Sequence, residues 1–235
     1  MKKNIYLTKY NQTLNYDNTK KEFNLYNNYF YRNYKNYLPS DRSANILDIG
    51  CGNGIFLRFL KKMNFYNSEG FDLSIENVEE CKKFGLSVDF GDAFEYLSQN
   101  NKKYSVIVLN DVIEHIPKNE VVDKMQLLKS HLEDGGYVIV KTLNMSNPIS
   151  VNTLYCDFTH EYGYTEKNIV QVFSLAGFNN CEVHETIVYF DFLAVDFILP
   201  AIYFLNNFFY RIKYLYNGKK GYHVFSKNLI CIAHK

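Results

Sequence analysis

Ala44-Asn45-Ile46-Leu47-Asp48-Ile49-Gly50-Cys51-Gly52-Asn53-Gly54-Ile55-Phe56-Leu57-Arg58-Phe59-Leu60 changes its hydrophobic period midway. The first half is a short apolar run of the kind that fills a buried strand. Beyond the glycines, Ile55, Phe56, Phe59, Leu60 and Met63 recur at helical spacing. Strand, tight loop and helix follow in that order. Glycine at alternate positions gives the loop access to positive φ and lets a ligand rest on its main-chain amides. Amides at the mouth of a helix suit a carboxylate or a phosphate.

Two familiar glycine loops do not fit. A dinucleotide fingerprint would carry its last glycine where Ile55 stands, and a phosphate loop would need a Lys-Ser/Thr pair that is missing. Asp48 completes the pattern apolar-Asp-apolar-Gly-x-Gly-x-Gly, and here the chain resembles the class I S-adenosylmethionine-dependent methyltransferases. The competing reading is a chance glycine turn in another α/β protein. The resemblance implies an α/β, Rossmann-like fold: a seven-stranded, mostly parallel sheet with an antiparallel last strand and helices on both faces. It also implies S-adenosyl-L-methionine as cofactor.

At 235 residues the chain suits one α/β domain with an appendage. Residues 1–40 read as an N-terminal helical cap, 41–190 as the cofactor-binding core, 191–221 as a hydrophobic helical insertion and 222–235 as the last strand. The 26 basic and 25 acidic residues nearly cancel, so charge calls for no nucleic acid. The tyrosine-rich run from Tyr6 to Tyr37 reads as compositional bias with aromatic packing, in the region where the family often covers the cofactor mouth. Tyr26, Tyr29 and Tyr34 are the candidates there to touch an acceptor. Five isolated cysteines and a start interrupted by Lys9, Asn11 and Gln12 fit a reducing cytoplasmic setting without export. No metal site is assigned.

Ser68–Asp72 is expected as the second strand, with Ser74 capping the next helix. Asp72 lies about twenty residues past the glycines, where an acid meets ribose hydroxyls in nucleotide folds. Leu86–Phe90 forms the third strand and Tyr104–Leu109 a central one. The resemblance implies cofactor contacts at Asp48, Gly50, Cys51, Gly52, Gly54, Asp72 and Leu73. It adds Asp92, Ala93 and Phe94 around the adenine, and Asn110 and Asp111 after the central strand. Asp92 also reads as a helix cap. A helix from Glu120 to His131, a turn at Asp134-Gly135-Gly136 and a strand from Tyr137 to Thr142 come next. Leu143–Thr153 reads as a loop, Thr165 or Tyr164 starts a further helix, and strands are expected at Asn180–Phe190 and Tyr222–Ala233.

Glu114-His115-Ile116-Pro117 resembles a small-molecule branch of the family, and the Asn/Asp-Pro-Pro-aromatic motif common for nitrogen acceptors is absent. Oxygen is therefore the expected acceptor atom. An alcohol needs a partner for its proton, and imidazole is the usual one. His115 and His160 fall on loops at the carboxyl edge of the sheet, with Asp157 able to orient His160; these three are the catalytic candidates. Asp157-Phe158-Thr159-His160, a Tyr164-Thr165 helix start and Ala176-Gly177-Phe178 resemble enzymes of bacterial polysaccharide and capsule biosynthesis. The leading expectation is O-methylation of a carbohydrate, as a sugar, nucleotide-sugar or polysaccharide precursor. The alternatives are a quinone or lipid-like acceptor, or a non-catalytic cofactor-binding subunit.

Residues 191–221 are too short in their charge-free part, and too interrupted by Pro200, for a membrane span of roughly twenty apolar residues. Packing over the acceptor pocket, a homodimer surface, or peripheral membrane contact through Arg211, Lys213, Lys219 and Lys220 are its three uses.

Overall fold

Alternation of apolar side chains along the central strands assigns each residue to one of two faces, and helices cover both. The computed structural model describes residues 20–187, 193–218 and 221–235. β1 (Ile46–Ile49), β2 (Ser68–Asp72), β3 (Ser87–Phe90), β4 (Tyr104–Asn110), β5 (Leu132–Leu143), β6 (Asn180–Glu185) and β7 (Asn228–His234) form one seven-stranded sheet, ordered β3-β2-β1-β4-β5-β7-β6. The first five run parallel, and β7 is antiparallel to both neighbours. This is the expected Rossmann-like sheet. Its order reverses between β1 and β4, the place where open α/β sheets leave a crevice at their carboxyl edge.

The helices are α1 (Lys20–Tyr34), α2 (Ile55–Lys62), α3 (Ile75–Lys83), α4 (Ala93–Ser98), α5 (Val121–Ser130), α6 (Pro148–Cys156), α7 (Glu166–Leu175) and α8 (Leu193–Tyr216). Val106 and Val108 of β4 meet Phe56, Phe59 and Leu60 of α2 on one face. Ile107 and Leu109 meet the α4, α5 and α7 residues Leu97, Met125 and Phe173 on the other. α1 joins the first face through Phe30, whose ring lies 4.9 Å from Phe56 and 5.6 Å from Phe59. Such aromatic pairs add about 1 kcal/mol each beyond the area they bury. The Asn33 side chain fixes the same helix to Ile187, accepting its N–H at 2.8 Å and donating to its carbonyl at 3.0 Å.

Local signals place several helix starts as expected. Ser74 accepts from Asn77 N, Asp92 from Phe94 N, and Thr165 with Asn168 makes a reciprocal capping box. Other expectations are corrected. Leu143–Thr153 is not all loop: α6 begins at Pro148, where a missing N–H costs nothing, and the Asn147 side chain accepts from Ile149 N at 2.9 Å. Asn147 is itself held by Phe225 O, 2.8 Å away, a partner that local sequence does not show. β5 runs unbroken from Leu132 through the expected turn at Asp134-Gly135-Gly136, with a shift of register opposite Tyr104–Val106.

The last strand starts at Asn228 rather than Tyr222, because the preceding amides are taken by carboxylates. Glu166 Oε2 accepts from His223 N and Val224 N at 2.7 and 3.1 Å, and Glu185 Oε1 from Phe225 N at 2.9 Å. β6 ends at Glu185; Val188–Phe190 of its expected length lie outside the described residues. So do residues 1–19 of the cap, and Lys219 and Lys220. Pro200 does not interrupt the insertion, since α8 continues through it for 24 residues. Among the described residues no helix is long and apolar enough to cross a membrane.

α8 is fastened along one stripe. Tyr203 donates to Glu185, Asn207 Nδ2 reaches the same carboxylate at 3.1 Å, Tyr210 stacks on Phe225 and Tyr214 donates to Ser146 O at 3.1 Å. Glu185 thus ties β6, α8 and the lead into β7 together. Replacing it by alanine should cost about 2–3 kcal/mol in urea unfolding, with glutamine losing less, since hydrogen bonds to a charged group are worth about 1.5–3 kcal/mol each.

Candidate active site

The glycine loop closes on main-chain bonds: Gly50 N and Cys51 N both donate to Phe71 O, at 2.8 and 3.0 Å. A Cβ on Gly50 would lie 2.6 Å from Val112 Cγ2, so the loop presses directly on the segment leaving β4. Gly52, at φ +55, has nothing within 4 Å of where its Cβ would be. Its open face and left-handed backbone form the floor of a cradle. Asp72 borders that floor. Its Oδ2 accepts from Gly52 N at 2.8 Å, while Oδ1 accepts from Ser74 N and Asn77 Nδ2 at 2.9 and 3.0 Å. Oδ1 is filled by two donors, and Oδ2 keeps a lone pair.

Beneath the loop, Asp48 is 1% exposed, and neither carboxylate oxygen has a hydrogen-bond partner among the described residues. Burial, and then repulsion from Asp72, raise its pKa well above the ordinary carboxylate range. A buried unpaired carboxylate is neutral or meets a cation. Cys51 is buried beside it and Gly54 opens α2. Leu73 stands 39% exposed just past the β2 tip. Asp92 caps α4 by accepting from Phe94 N, Ala93 is buried, and the Phe94 ring is half-buried under the Lys124 ammonium.

The exit from β4 is a polar cluster. Tyr34, fully buried, donates to Asn110 Oδ1, and Asn110 Nδ2 has no partner among the described residues. Asp111 turns the chain with φ 54 and pairs with Lys141. Burial alone would lower the Lys141 pKa, but Asp111, Tyr29 and Glu114 more than offset it and hold the ammonium charged. Glu114 points into the core, accepting from Thr142 Oγ1 at 2.9 Å; burial, and then Asp111, push its pKa up to about 8. Lys141 and Glu114 carry no role in the sequence reading. The usable signal was a lone lysine inside the apolar run Tyr137–Leu143.

Glu114 O accepts from both Glu161 N and Tyr162 N, at 2.8 and 3.2 Å, and so docks the 157–162 loop on the turn Ile113–His115. Docking brings His115 and His160 together, with ring centroids 4.7 Å apart. His160 Nδ1 bonds Leu154 O at 2.9 Å, and its Nε2 lies 3.7 Å from Asp157 Oδ2. Burial, and then the neighbouring His160 ring, hold the His115 pKa below the usual imidazole value. All three catalytic candidates therefore meet in one cluster.

The chain matches the family described as methyltransferase domain over residues 23–183. It belongs to the class I S-adenosylmethionine-dependent methyltransferase domains. This methyltransferase is 31% identical over 103 residues to the ubiquinone biosynthesis O-methyltransferase of Rickettsia prowazekii, covering 42% of this chain and 40% of that protein. A second relative, the mitochondrial ubiquinone biosynthesis O-methyltransferase of Candida albicans, is 27% identical over 117 residues, covering 45% of this chain and 34% of that one. The matches thus span two fifths or less of these relatives. A crystal structure of an S-adenosylmethionine-dependent methyltransferase from Archaeoglobus fulgidus shares the fold, with a TM-score of 0.66 at 21% identity over 91% of this chain and 94% of that one.

The cradle of this methyltransferase fits its cofactor in charge as well as shape. S-adenosylmethionine carries a sulfonium, an ammonium and one carboxylate, and the buried Asp48 is an acid awaiting a cation. A cation bound beside Asp48 favours its charged form, so cofactor binding should draw a proton from it. Calorimetry in buffers of different ionisation enthalpy should register that release, with affinity rising as pH rises toward the elevated Asp48 pKa. Asp48→Asn should abolish the pH dependence.

Proposed function

We propose that this methyltransferase O-methylates a phenolic hydroxyl on a quinone-type aromatic acceptor bearing a hydrophobic tail. The observation that carries this reading is where α8 lies. β5 and β6 end, and β7 begins, on the same edge of the sheet as the glycine loop, and α8 is fastened to Ser146, Glu185 and Phe225 along that edge. Its remaining face is apolar: Ile198, Ile202, Leu205, Phe209, Ile212 and Tyr216, at three- and four-residue spacing, are 48% to 88% exposed. Such an exposed stripe, on a helix fastened to this edge by its other face, suits an isoprenoid tail. Ubiquinone is a methoxylated ring with such a tail, and the related proteins named for its biosynthesis support the same acceptor class. No relative reported above is named for a sugar, so the carbohydrate expectation gives way to the quinone alternative.

The roles follow from chemistry. Gly50, Cys51, Gly52 and Gly54 offer backbone to the cofactor's amino-acid end, and Asp72, with Leu73 beside it, receives the ribose hydroxyls. Asp92, Ala93 and Phe94 border the adenine, while Asn110 and Asp111 line the exit of β4. When bound, the cofactor supplies a methyl group on a positively charged sulfur, and the C–S electron pair returns to sulfur as the acceptor oxygen takes the methyl. The chain must align that oxygen and remove its proton. The His115, Asp157 and His160 cluster is the group placed to promote loss of that proton, and Glu114 and Thr142 anchor the turn that presents His115.

A panel assayed with radiolabelled methyl donor tests the acceptor. A catechol with an isoprenoid tail should give the highest kcat/KM, and Phe209→Lys should raise KM for it while leaving the tailless catechol unaffected. Faster labelling of nucleotide-linked sugars would overturn the reading. Cofactor binding with no acceptor methylated would leave only the non-catalytic subunit. Asp72→Ala should weaken cofactor binding about 10-fold or more, since the charge-assisted hydrogen bond to the open lone pair of Oδ2 is lost. His160→Ala should cut kcat by roughly 100-fold or more with cofactor affinity preserved.

A further inference from the structure

The cluster has a feature that a simple proton acceptor does not need. Thr159 has one hydroxyl proton and gives it to Asp157 Oδ1, 2.7 Å away, so its oxygen must accept from His115 Nδ1, at 2.9 Å. The Thr159 carbonyl lies 3.3 Å from the same nitrogen. His115 therefore carries its proton on Nδ1. His160 does the same, because its Nδ1 faces the Leu154 carbonyl. In the neutral form of each ring the lone pair is then on Nε2. The carboxylate is oriented in the same sense: Thr159 N and Oγ1 both hold Oδ1, and Oδ2 is the oxygen near His160 Nε2. Ring N–H groups tied to carbonyls and hydroxyls, with the opposite nitrogens bare, are what a metal-ligating histidine pair shows.

One ligand atom from each of His115, Asp157 and His160 lies within 4.8 Å of the others, and all three residues are partly buried. We propose that these three side chains hold a divalent first-row metal ion of the zinc type, with open positions for the acceptor's oxygen. Two imidazoles and one carboxylate are a common donor set for catalytic zinc. Metal–ligand distances of about 2.1 Å require the donors to close by roughly 1 Å, which side-chain rotation supplies. With both Nε2 atoms on the ion the imidazoles hold the metal rather than the proton; the ion lowers the pKa of a hydroxyl oxygen placed on it, so that its proton passes to bulk water before methyl transfer. This deepens the acceptor reading above and rests on it. A catechol, with two adjacent oxygens, suits such an ion better than an isolated alcohol.

The test uses the full chain stripped with chelator and titrated with Co2+ for its visible bands and with Zn2+ for affinity. The proposal expects one ion per chain and visible d–d absorption. It expects affinity to fall about 100-fold or more in both His160→Gln and Asp157→Asn, and to be unchanged in His184→Ala, a histidine paired elsewhere with Glu182. Circular dichroism and S-adenosylmethionine affinity should match wild type in all three variants. Absence of Co2+ bands, or binding that persists in both cluster variants, would overturn the site. Full methyl transfer by the stripped protein, with cofactor bound, would overturn the ion's role in the reaction. Failure of the stripped protein to bind cofactor would count against the methyltransferase reading alone, since the metal titration is read without cofactor.

Discussion

A parallel sheet brings the ends of all its strands to one edge, where the backbone runs out of strand partners and must find others. Gly50 and Cys51 turn back to Phe71 O, Gly91 N to Asp72 O, and Asp111 N to Lys141 O. Glu161 and Tyr162 reach Glu114 O, and Phe225 N reaches Glu185. Each bond satisfies a polar group that would otherwise cost about 1–3 kcal/mol if buried unmade. Together they fold every loop of this edge onto its neighbour. The cradle and the histidine cluster are by-products of that satisfaction.

Charge is distributed unevenly over the same edge. Asp48 and Glu114 are buried beneath it, Asp72 and the exposed Asp111 lie at its rim, and the partly buried Lys141 pairs with Asp111. Asp111 and Lys141 neutralise each other, and Glu114 has Thr142 and a raised pKa. Asp48 has neither a donor nor a counter-ion among the described residues. The imbalance makes the free cradle receptive to a positively charged molecule.

α8 divides its surface into a fastened stripe and an exposed one. Its stripe of Tyr203, Asn207, Tyr210 and Tyr214 is consumed by the carboxyl edge, and its opposite stripe stays apolar and open.

Elements governed by local physics were legible in the sequence: the glycine turn from Gly50 to Gly54, the apolar strands, and the caps at Ser74, Asp92 and Thr165, each set by neighbours within a few residues. Asp48 and Asp72 could be singled out for the same reason. α6 and the late start of β7 could not, since Asn147, Glu166 and Glu185 act on amides or carbonyls far along the chain. The three candidates His115, Asp157 and His160 were visible one by one. Only the docking of their loops on Glu114 O made them a cluster, because their meeting depends on which distant backbone groups are left unpaired at the sheet's edge, a quantity that no local pattern of residues encodes.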